Sequence, residues 1–298
     1  MSGRTLTRRL LLAQVAVLAL AGASLAQEAD RVLSIGGSVT EIVHALGQGH
    51  RLVARDTTST FPPKVTELPD VGYARALSPE GVLSVAPSLI LAIEGAGPPE
   101  AIEVLAQSGV TFVSIPEAQS AEGILTKIAA VGAALGVPDR AEALATETRA
   151  ALEAAAERTA QLPETARKRV LFILSLQGGR ILASGRDTQA AAIIAMAGGI
   201  NAVTEFDGYK QMTDEAVAEA APDVILMMDR TGDHAILDEQ LFALPSIRVT
   251  PARATESIVR MNGLYLLGFG PRTARAALDL NRALYGTAKA AHDDRDPS

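Results

Sequence analysis

Residues 139–162 (DRAEALATETRAALEAAAERTAQL) run for 24 positions without a Gly or a Pro. Ala, Glu, Leu and Arg, the strongest helix formers, fill most of them. At ~1.5 Å per residue one helix over this stretch spans ~36 Å, more than an ordinary domain helix. Pro163 ends it. A rod of that length divides the chain, so the segments on its two sides are expected to fold around separate cores.

On both sides, short apolar runs alternate with helical patterns. Before the rod the runs are residues 31–35, 52–54, 88–93 and 110–115; after it they are 169–175 and 181–184, with Gly178-Gly179 turning the chain between them. A helical pattern comes next at 188–197. Strand-then-helix alternation favours mostly parallel sheets covered by helices. The expected fold class is α/β: two Rossmann-like lobes joined by one long linking helix. The expected limits are a signal peptide at 1–26, an N-terminal lobe at 27–138, the linking helix at 139–162, a C-terminal lobe at 163–290 and a polar tail at 291–298. Ser38-Val39-Thr40-Glu41 reads as a capping box opening a helix over 42–46.

The restart carries a repeat. SPEGVLSVAPSLIL (78–91) aligns without gaps to TDEAVAEAAPDVIL (213–226), with six identities in 14 at an offset of 135. Ile115-Pro116 and Thr250-Pro251 share that offset, and a one-residue slip pairs Glu122 with Glu256, which are expected to precede similar helices. Ser78 and Thr213 are good N-caps, Pro79 suits a first helical position, and Glu80 and Glu215 sit where the helix dipole favours a carboxylate. Helix stability alone accounts for both acids, and a functional role stays open beside it.

The chain has no Cys. That removes disulfides, Cys-ligated metal clusters, covalent haem attachment, thiol nucleophiles and a lipidated N-terminal Cys. Arg4, Arg8 and Arg9 precede an apolar run over 10–21, and Ser24-Leu25-Ala26 supplies small residues for signal peptidase. The apolar core is shorter than the ~20 residues of a membrane anchor, so cleavage after Ala26 is expected. Thr7-Arg8-Arg9 also resembles a twin-arginine signal, which leaves both export routes open. Removing those three Arg takes the net charge from −7 to −10. So acidic a product is a poor ligand for nucleic acid.

Gly72-Tyr73-Ala74-Arg75 is the first candidate site. It puts a Tyr on a loop at the end of an α/β layer, where open sheets bind ligands, in a chain with only 3% aromatic residues. A phenolate is a hard anionic oxygen that suits ferric iron, and a neighbouring guanidinium can stabilise it or pair with a ligand carboxylate. A Tyr packed on its lobe beside a solvated Arg is the plainer alternative. Glu94-Gly95-Ala96-Gly97, directly after an apolar run, can line a site or simply turn the chain. Gly36-Gly37-Ser38 can hold a phosphate at a helix N-terminus. No full dinucleotide fingerprint and no phosphate-binding P-loop is present. His44, His50, His234 and His292 lack metal-ligand spacing, and no G-x-S-x-G elbow marks a nucleophile. Gln177, Arg180, Tyr209, Lys210 and Arg230 fall near expected loops or strand ends, where solvated surface is the default.

IGGSVTEIVHALG, DTTSTFP and LPDVGYARALSPEGVLSVAPSLILAIEGAGPP resemble the periplasmic haem-binding proteins of bacterial haem-uptake ABC transporters. The likeness continues through VLFILS, ASGRDTQAAAIIAMAGG, GYKQMTDEAVAEAAPDVILMM and LNRALYG. The resemblance implies a periplasmic carrier that holds haem noncovalently in a cleft between its lobes. It implies Tyr73 as axial ligand, with Arg75 assisting it or meeting a propionate. Glu94, Gly95, Gln177, Tyr209, Lys210 and Arg230 become haem or propionate contacts. Glu80 and Glu215, one on each lobe, become the acids that dock onto an ABC permease and its ATPase subunits. Some members carry a second-lobe His where this chain has Leu176 and Gln177, so five-coordinate haem through Tyr73 alone is expected. No catalysis is expected. A ferric-siderophore or corrinoid binder of the same fold is the alternative, and an exported hydrolase is a third reading from another class.

Overall fold

The computed structural model describes residues 31–229 and 236–286. The chain divides between Ile115 and Pro116 into two compact units. The expected signal peptide and polar tail lie outside the described residues, as do Arg230, His234 and His292.

The first unit is built on β1 (Val32–Ile35), β2 (Leu52–Arg55), β3 (Leu89–Ile93) and β4 (Thr111–Ile115), all parallel in the order β2-β1-β3-β4. Its helices are α1 (Gly37–Ala45), α2 (Pro79–Ser84) and α3 (Pro99–Gln107). Leu33, Ile35, Ala54, Val82, Ile90, Ala92 and Leu105 form one side of its core. Strands buried on both faces need continuous apolar runs, and β1 and β3 supply them.

The start of α1 corrects the expected capping box. The helix opens at Gly37 rather than Ile42, its N-cap is Gly36, and no side-chain cap is made from within the helix. Its first amides are satisfied from a distant loop: Gly36 N–H donates to Asp56 Oδ1 at 2.9 Å and Gly37 N–H to Thr58 Oγ1 at 3.1 Å. Helix N-termini leave orphan donors that any acceptor can take, and a tertiary carboxylate replaced the local one.

The second unit starts with α4 (Ala121–Ala134) and the rod, α5 (Pro138–Ala160). Its sheet comprises β5 (Arg169–Gln177), β6 (Arg180–Ser184), β7 (Ile200–Asn201), β8 (Tyr209–Gln211), β9 (Val224–Asp229) and β10 (Ile258–Asn262). The order is β10-β9-β5-β6-β8, with β7 also on β5. Strands β7, β9 and β10 run parallel to their partners, whereas β6 pairs antiparallel with β5 and β8. The remaining helices are α6 (Gln189–Met196), α7 (Asp214–Ala220), α8 (Asp238–Ala243), α9 (Pro245–Arg248), α10 (Pro251–Ala254), α11 (Gly263–Leu267) and α12 (Thr273–Tyr285).

Helix α5 buries Ala141, Thr148, Leu152, Ala155 and Thr159, one stripe at helical spacing, against α4, α6 and α12. Where α4 nears α5, Gly132 leaves no room for a side chain, since an added Cβ meets Ala141 Cβ. Helix α4 also carries Lys127, fully buried, whose Nζ lies 2.6 Å from Glu117 and donates to the Phe269 carbonyl at 3.0 Å. These contacts group residues 116–138 with the second unit, whereas the sequence reading ends the first lobe at residue 138.

The repeat is present in the backbone. Helix α2 with β3, and α7 with β9, start at positions 135 apart, and Ser78 and Thr213 accept from the amides of Gly81 and Ala216. Ala86 (φ 46°) and Ala221 (φ 41°) are both left-handed and both precede Pro. Each costs ~1–2 kcal/mol of steric strain. The carbonyls freed at these helix ends are taken by an Arg in each unit: Arg31 donates to Ala86 and Val85 at 2.7 and 2.5 Å, and Arg169 to Ala220 at 3.0 Å. The likeness stops at the next segment. Pro116 follows a strand, whereas Pro251 opens α10; Glu122 lies in the first turn of α4, whereas Glu256 turns into β10 with φ 51°.

Candidate ligand-binding site

In the order β2-β1-β3-β4 the chain leaves β1 toward one side and returns as β3 on the other, which makes their carboxyl ends the switch point of the sheet. Gly36 follows β1 there at φ 107°, and a Cβ on it would meet Ile93 Cβ at 2.8 Å. Only Gly satisfies both the dihedral and the closeness. The phosphate reading of Gly36-Gly37-Ser38 is corrected at this point, because the anion position is occupied from within. Asp56 is fully buried and accepts from Gly36 N–H, from Thr58 N–H at 2.9 Å and hydroxyl at 2.6 Å, and from the Ser59 hydroxyl at 2.5 Å. Ser59 continues to Thr40 and Thr40 to Ser34, each at 2.6 Å.

Beside this network runs the loop that carries Tyr73. Val71 N–H donates to the Arg55 carbonyl at 2.9 Å, so the loop begins paired alongside the end of β2 and parallel to it. Asp70 then accepts from Gly72 N–H at 2.8 Å, from the Thr57 hydroxyl at 3.1 Å and from Arg55 at 3.1 Å. Gly72 stands at φ 102°, and its carbonyl accepts from Thr57 N–H at 2.9 Å. Beyond Tyr73, Ala76 N–H closes a turn onto the Tyr73 carbonyl at 2.8 Å. Ala74 is buried in the core while Tyr73, 48% exposed, and Arg75 face outward on either side of it. Among the described residues Arg75 has no ion-pair partner.

The second loop is stapled to the first. Gly97 N–H donates to the Ala74 carbonyl at 2.9 Å, and Leu77 N–H donates to the Gly97 carbonyl at 2.8 Å. Glu94 N–H donates to the Ile115 carbonyl at 2.8 Å. Glu94 and Gly95 are exposed, and among the described residues nothing lies within 4 Å of a Cβ placed on Gly95. The structure therefore brings four of the expected residues, Tyr73, Arg75, Glu94 and Gly95, onto two hydrogen-bonded loops of one unit. This arrangement offers a half-exposed phenol, an outward guanidinium and a carboxylate beside an open glycine.

The expected residues of the second unit are spread over β5 and β8. Gln177 ends β5 and accepts from Gln211 Nε2 at 3.0 Å. Tyr209 lies two positions before Gln211 on β8, with its ring edge-on to Phe172 at 6.4 Å. Lys210 points to the opposite face and sits 5.4 Å over the Phe206 ring. Sequence reading passed over Gln211, although the two-residue period of a strand from Tyr209 would have found it. Asp56, Thr57 and Asp70 carry no distinct signal in the sequence, because their anchoring partners Gly36, Asp70 and Arg55 lie 20, 13 and 15 positions away. A hollow of about 400 Å³ in the second unit, lined by Gln119, Arg186, Thr188, Asn201 and Thr204 among others, involves none of the expected residues.

Glu80 and Glu215 are exposed in the first turns of α2 and α7. Ser78 donates to Glu80 at 3.2 Å. Glu215 is held below the usual carboxylate range, first by its own backbone N–H and then by the Thr213 hydroxyl. Among the described residues no group of three His, Asp or Glu is placed to hold a metal ion.

An open parallel sheet whose strand-end loops present a few polar groups is a frame on which small-molecule sites are built. This chain belongs to the periplasmic binding protein family, whose profile matches residues 32–263. It is thus a periplasmic substrate-binding protein of the ABC-transporter type, a family of transport components rather than enzymes. The periplasmic heme-binding protein BhuT, solved in complex with two hemes, is 42% identical, covering 85% of this chain and 97% of its own, with a TM-score of 0.80. The uncharacterised ABC transporter substrate-binding lipoprotein YvrC of Bacillus subtilis is 30% identical over 68% of this chain, which spans 65% of that relative's length. The vitamin B12-binding protein of Vibrio cholerae is 26% identical over 83% of this chain and 86% of its own.

Proposed function

We propose that the protein binds ferric haem noncovalently through the Tyr73 oxygen and delivers it to an ABC permease whose ATPase subunits drive import. The observation that carries the reading is the presentation of Tyr73: a phenol 48% exposed, on a loop whose neighbouring backbone groups are hydrogen-bonded, next to a guanidinium with no ion-pair partner among the described residues. Phenolate is a strong axial ligand to ferric haem, and Arg75 suits a propionate or the phenolate itself. The 42% identity to a haem-binding protein favours haem among the family's ligands. Glu94 and Gly95 border the same platform. Gln177, Tyr209, Lys210 and Arg230 are proposed contacts from the second unit. With Leu176 and Gln177 where some relatives carry a His, haem stays five-coordinate. Glu80 and Glu215 dock the carrier on the permease. Export proceeds through a signal peptide cleaved after Ala26, and the working compartment is the periplasm.

The test is a titration of the purified protein with ferric haem, monitored in the visible spectrum. The expected result is a high-spin ferric phenolate spectrum that Tyr73→Phe abolishes. The same spectrum surviving in Tyr73→Phe overturns the ligand assignment. The relation to vitamin B12-binding proteins favours a corrinoid as the second reading. No spectral change with haem, alongside tight binding of cyanocobalamin, supports that reading instead.

A further inference from the structure

The geometry points to Asp70 as the positioning residue that presents Tyr73 to the haem iron; this role rests on the haem reading above. Asp70 is three positions before Tyr73, and its carboxylate gathers three donors. Oδ1 takes the Gly72 amide at 2.8 Å and the Thr57 hydroxyl at 3.1 Å, while Oδ2 takes Arg55 at 3.1 Å. Arg55 is itself held, donating to the Val65 and Asp56 carbonyls at 3.1 and 3.0 Å. The carboxylate is thus tied to the end of β2 through a guanidinium that cannot swing away.

The peptide immediately before Tyr73 is where this matters. Gly72 stands at φ 102°, and among the described residues nothing lies within 4 Å of an added Cβ, so their packing does not hold it. A glycine with open space around it has more backbone freedom than any other residue. Two bonds remove that freedom: its N–H goes to Asp70 and its carbonyl takes Thr57 N–H at 2.9 Å. On the far side of Tyr73, the Ala74 carbonyl is pinned by Gly97. Tyr73 therefore stands between a backbone staple and a side-chain clamp. Release of the clamp lets Gly72 rotate and carries the phenol away from any one position. A ligand bond that must re-form against this motion loses affinity mainly through faster dissociation.

The experiment uses the full chain loaded with ferric haem. Asp70→Ala is expected to dissociate haem about tenfold faster and to weaken the ferric phenolate band, because iron spends less time on the oxygen. Asp70→Asn keeps a carbonyl oxygen for Gly72 and Thr57 but turns an NH2 toward Arg55, so it is expected to restore part of both readouts, between Asp70→Ala and the unchanged protein. Thr57→Val removes one anchor without changing side-chain shape; it gives a smaller change of the same sign and serves should Asp70→Ala not fold. A purely structural role for Asp70 would lower stability without changing the band. A band lost in Tyr73→Phe but unchanged in Asp70→Ala, with wild-type dissociation, overturns the positioning role. A band unchanged in Tyr73→Phe as well overturns the ligand reading, and the role of Asp70 falls with it.

Discussion

The Gly97 amide donates to the Ala74 carbonyl at 2.9 Å, across 23 residues of chain. That bond joins the loop after β3 to the loop that pairs alongside β2, and it locates the candidate site on hydrogen-bonded backbone. A preformed platform spares the ligand the entropy of ordering it. The neighbours of Ala74 are then held facing outward, where a ligand can reach both.

Arg75 has no ion-pair partner among the described residues, so the charge it brings is available to the ligand. Arg75→Ala is expected to weaken haem binding about tenfold to a hundredfold, in line with the loss of one charge-assisted hydrogen bond. Esterifying the propionates should weaken binding to the unchanged protein by a similar factor and have little further effect on Arg75→Ala. Equal losses in both proteins, measured by titration, would place the propionates elsewhere.

Charge reversal at Glu80 and Glu215 should stop transport in membranes reconstituted with the permease while haem affinity stays at its original value. Both acids are exposed, and neither belongs to the Tyr73 platform. If haem affinity falls together with transport, the two acids serve the fold or the ligand site rather than docking.

Lys127 is completely buried, and its charge is matched by Glu117 and by the Phe269 carbonyl. Lys127→Met takes the cation away from the Glu117 carboxylate and from the Gly268 and Phe269 carbonyls. The expected loss in unfolding free energy is about 3 kcal/mol, the lower end for breaking a buried pair because Glu117 keeps some access to water. Urea denaturation at neutral pH measures it, and a change below ~1 kcal/mol would show that the pair contributes little.

His44 is held below its ordinary value of 6.5, first by burial and then by the nearby Lys64 charge, and its buried Nε2 has no hydrogen-bond partner among the described residues. The folded state therefore refuses a proton that the unfolded chain accepts. The stability this represents is complete above pH 6.5 and is lost as pH falls from there through the lowered folded value. Unfolding free energies measured from pH 8 to pH 5 should decline over that window, and His44→Gln should flatten this part of the curve. An unchanged curve in the variant would assign the decline to other groups.

The elements were legible where local chemistry decides them. The apolar runs became strands within a residue or two, and Ser78, Thr188 and Thr213 cap the helices that come after them. Gly178-Gly179 supplies two positive φ angles to the β5–β6 hairpin. The start of α1 was not legible, because Ser38-x-x-Glu41 has the form of a capping box and nothing nearby reveals that Asp56 and Thr58 supply the acceptors. Tyr73 stood out by its rarity and its loop; Asp70 and Thr57 did not, since a carboxylate and a hydroxyl look like ordinary turn chemistry until their partners are known.

Short-range chemistry was enough to write the repeat into the chain, because helix caps, prolines and apolar periods act over a few residues. It was also enough to exclude a thiolate as a side-chain ligand, since the chain has no Cys. Folding in three dimensions was needed to fill the Gly36 turn with Asp56, to pack α4 with α5, and to hold the Tyr73 loop by Gly97 on one side and Asp70 on the other. Those bonds depend on parallel strands placing residues tens of positions apart at one sheet end, and their geometry exists only once the sheet has formed.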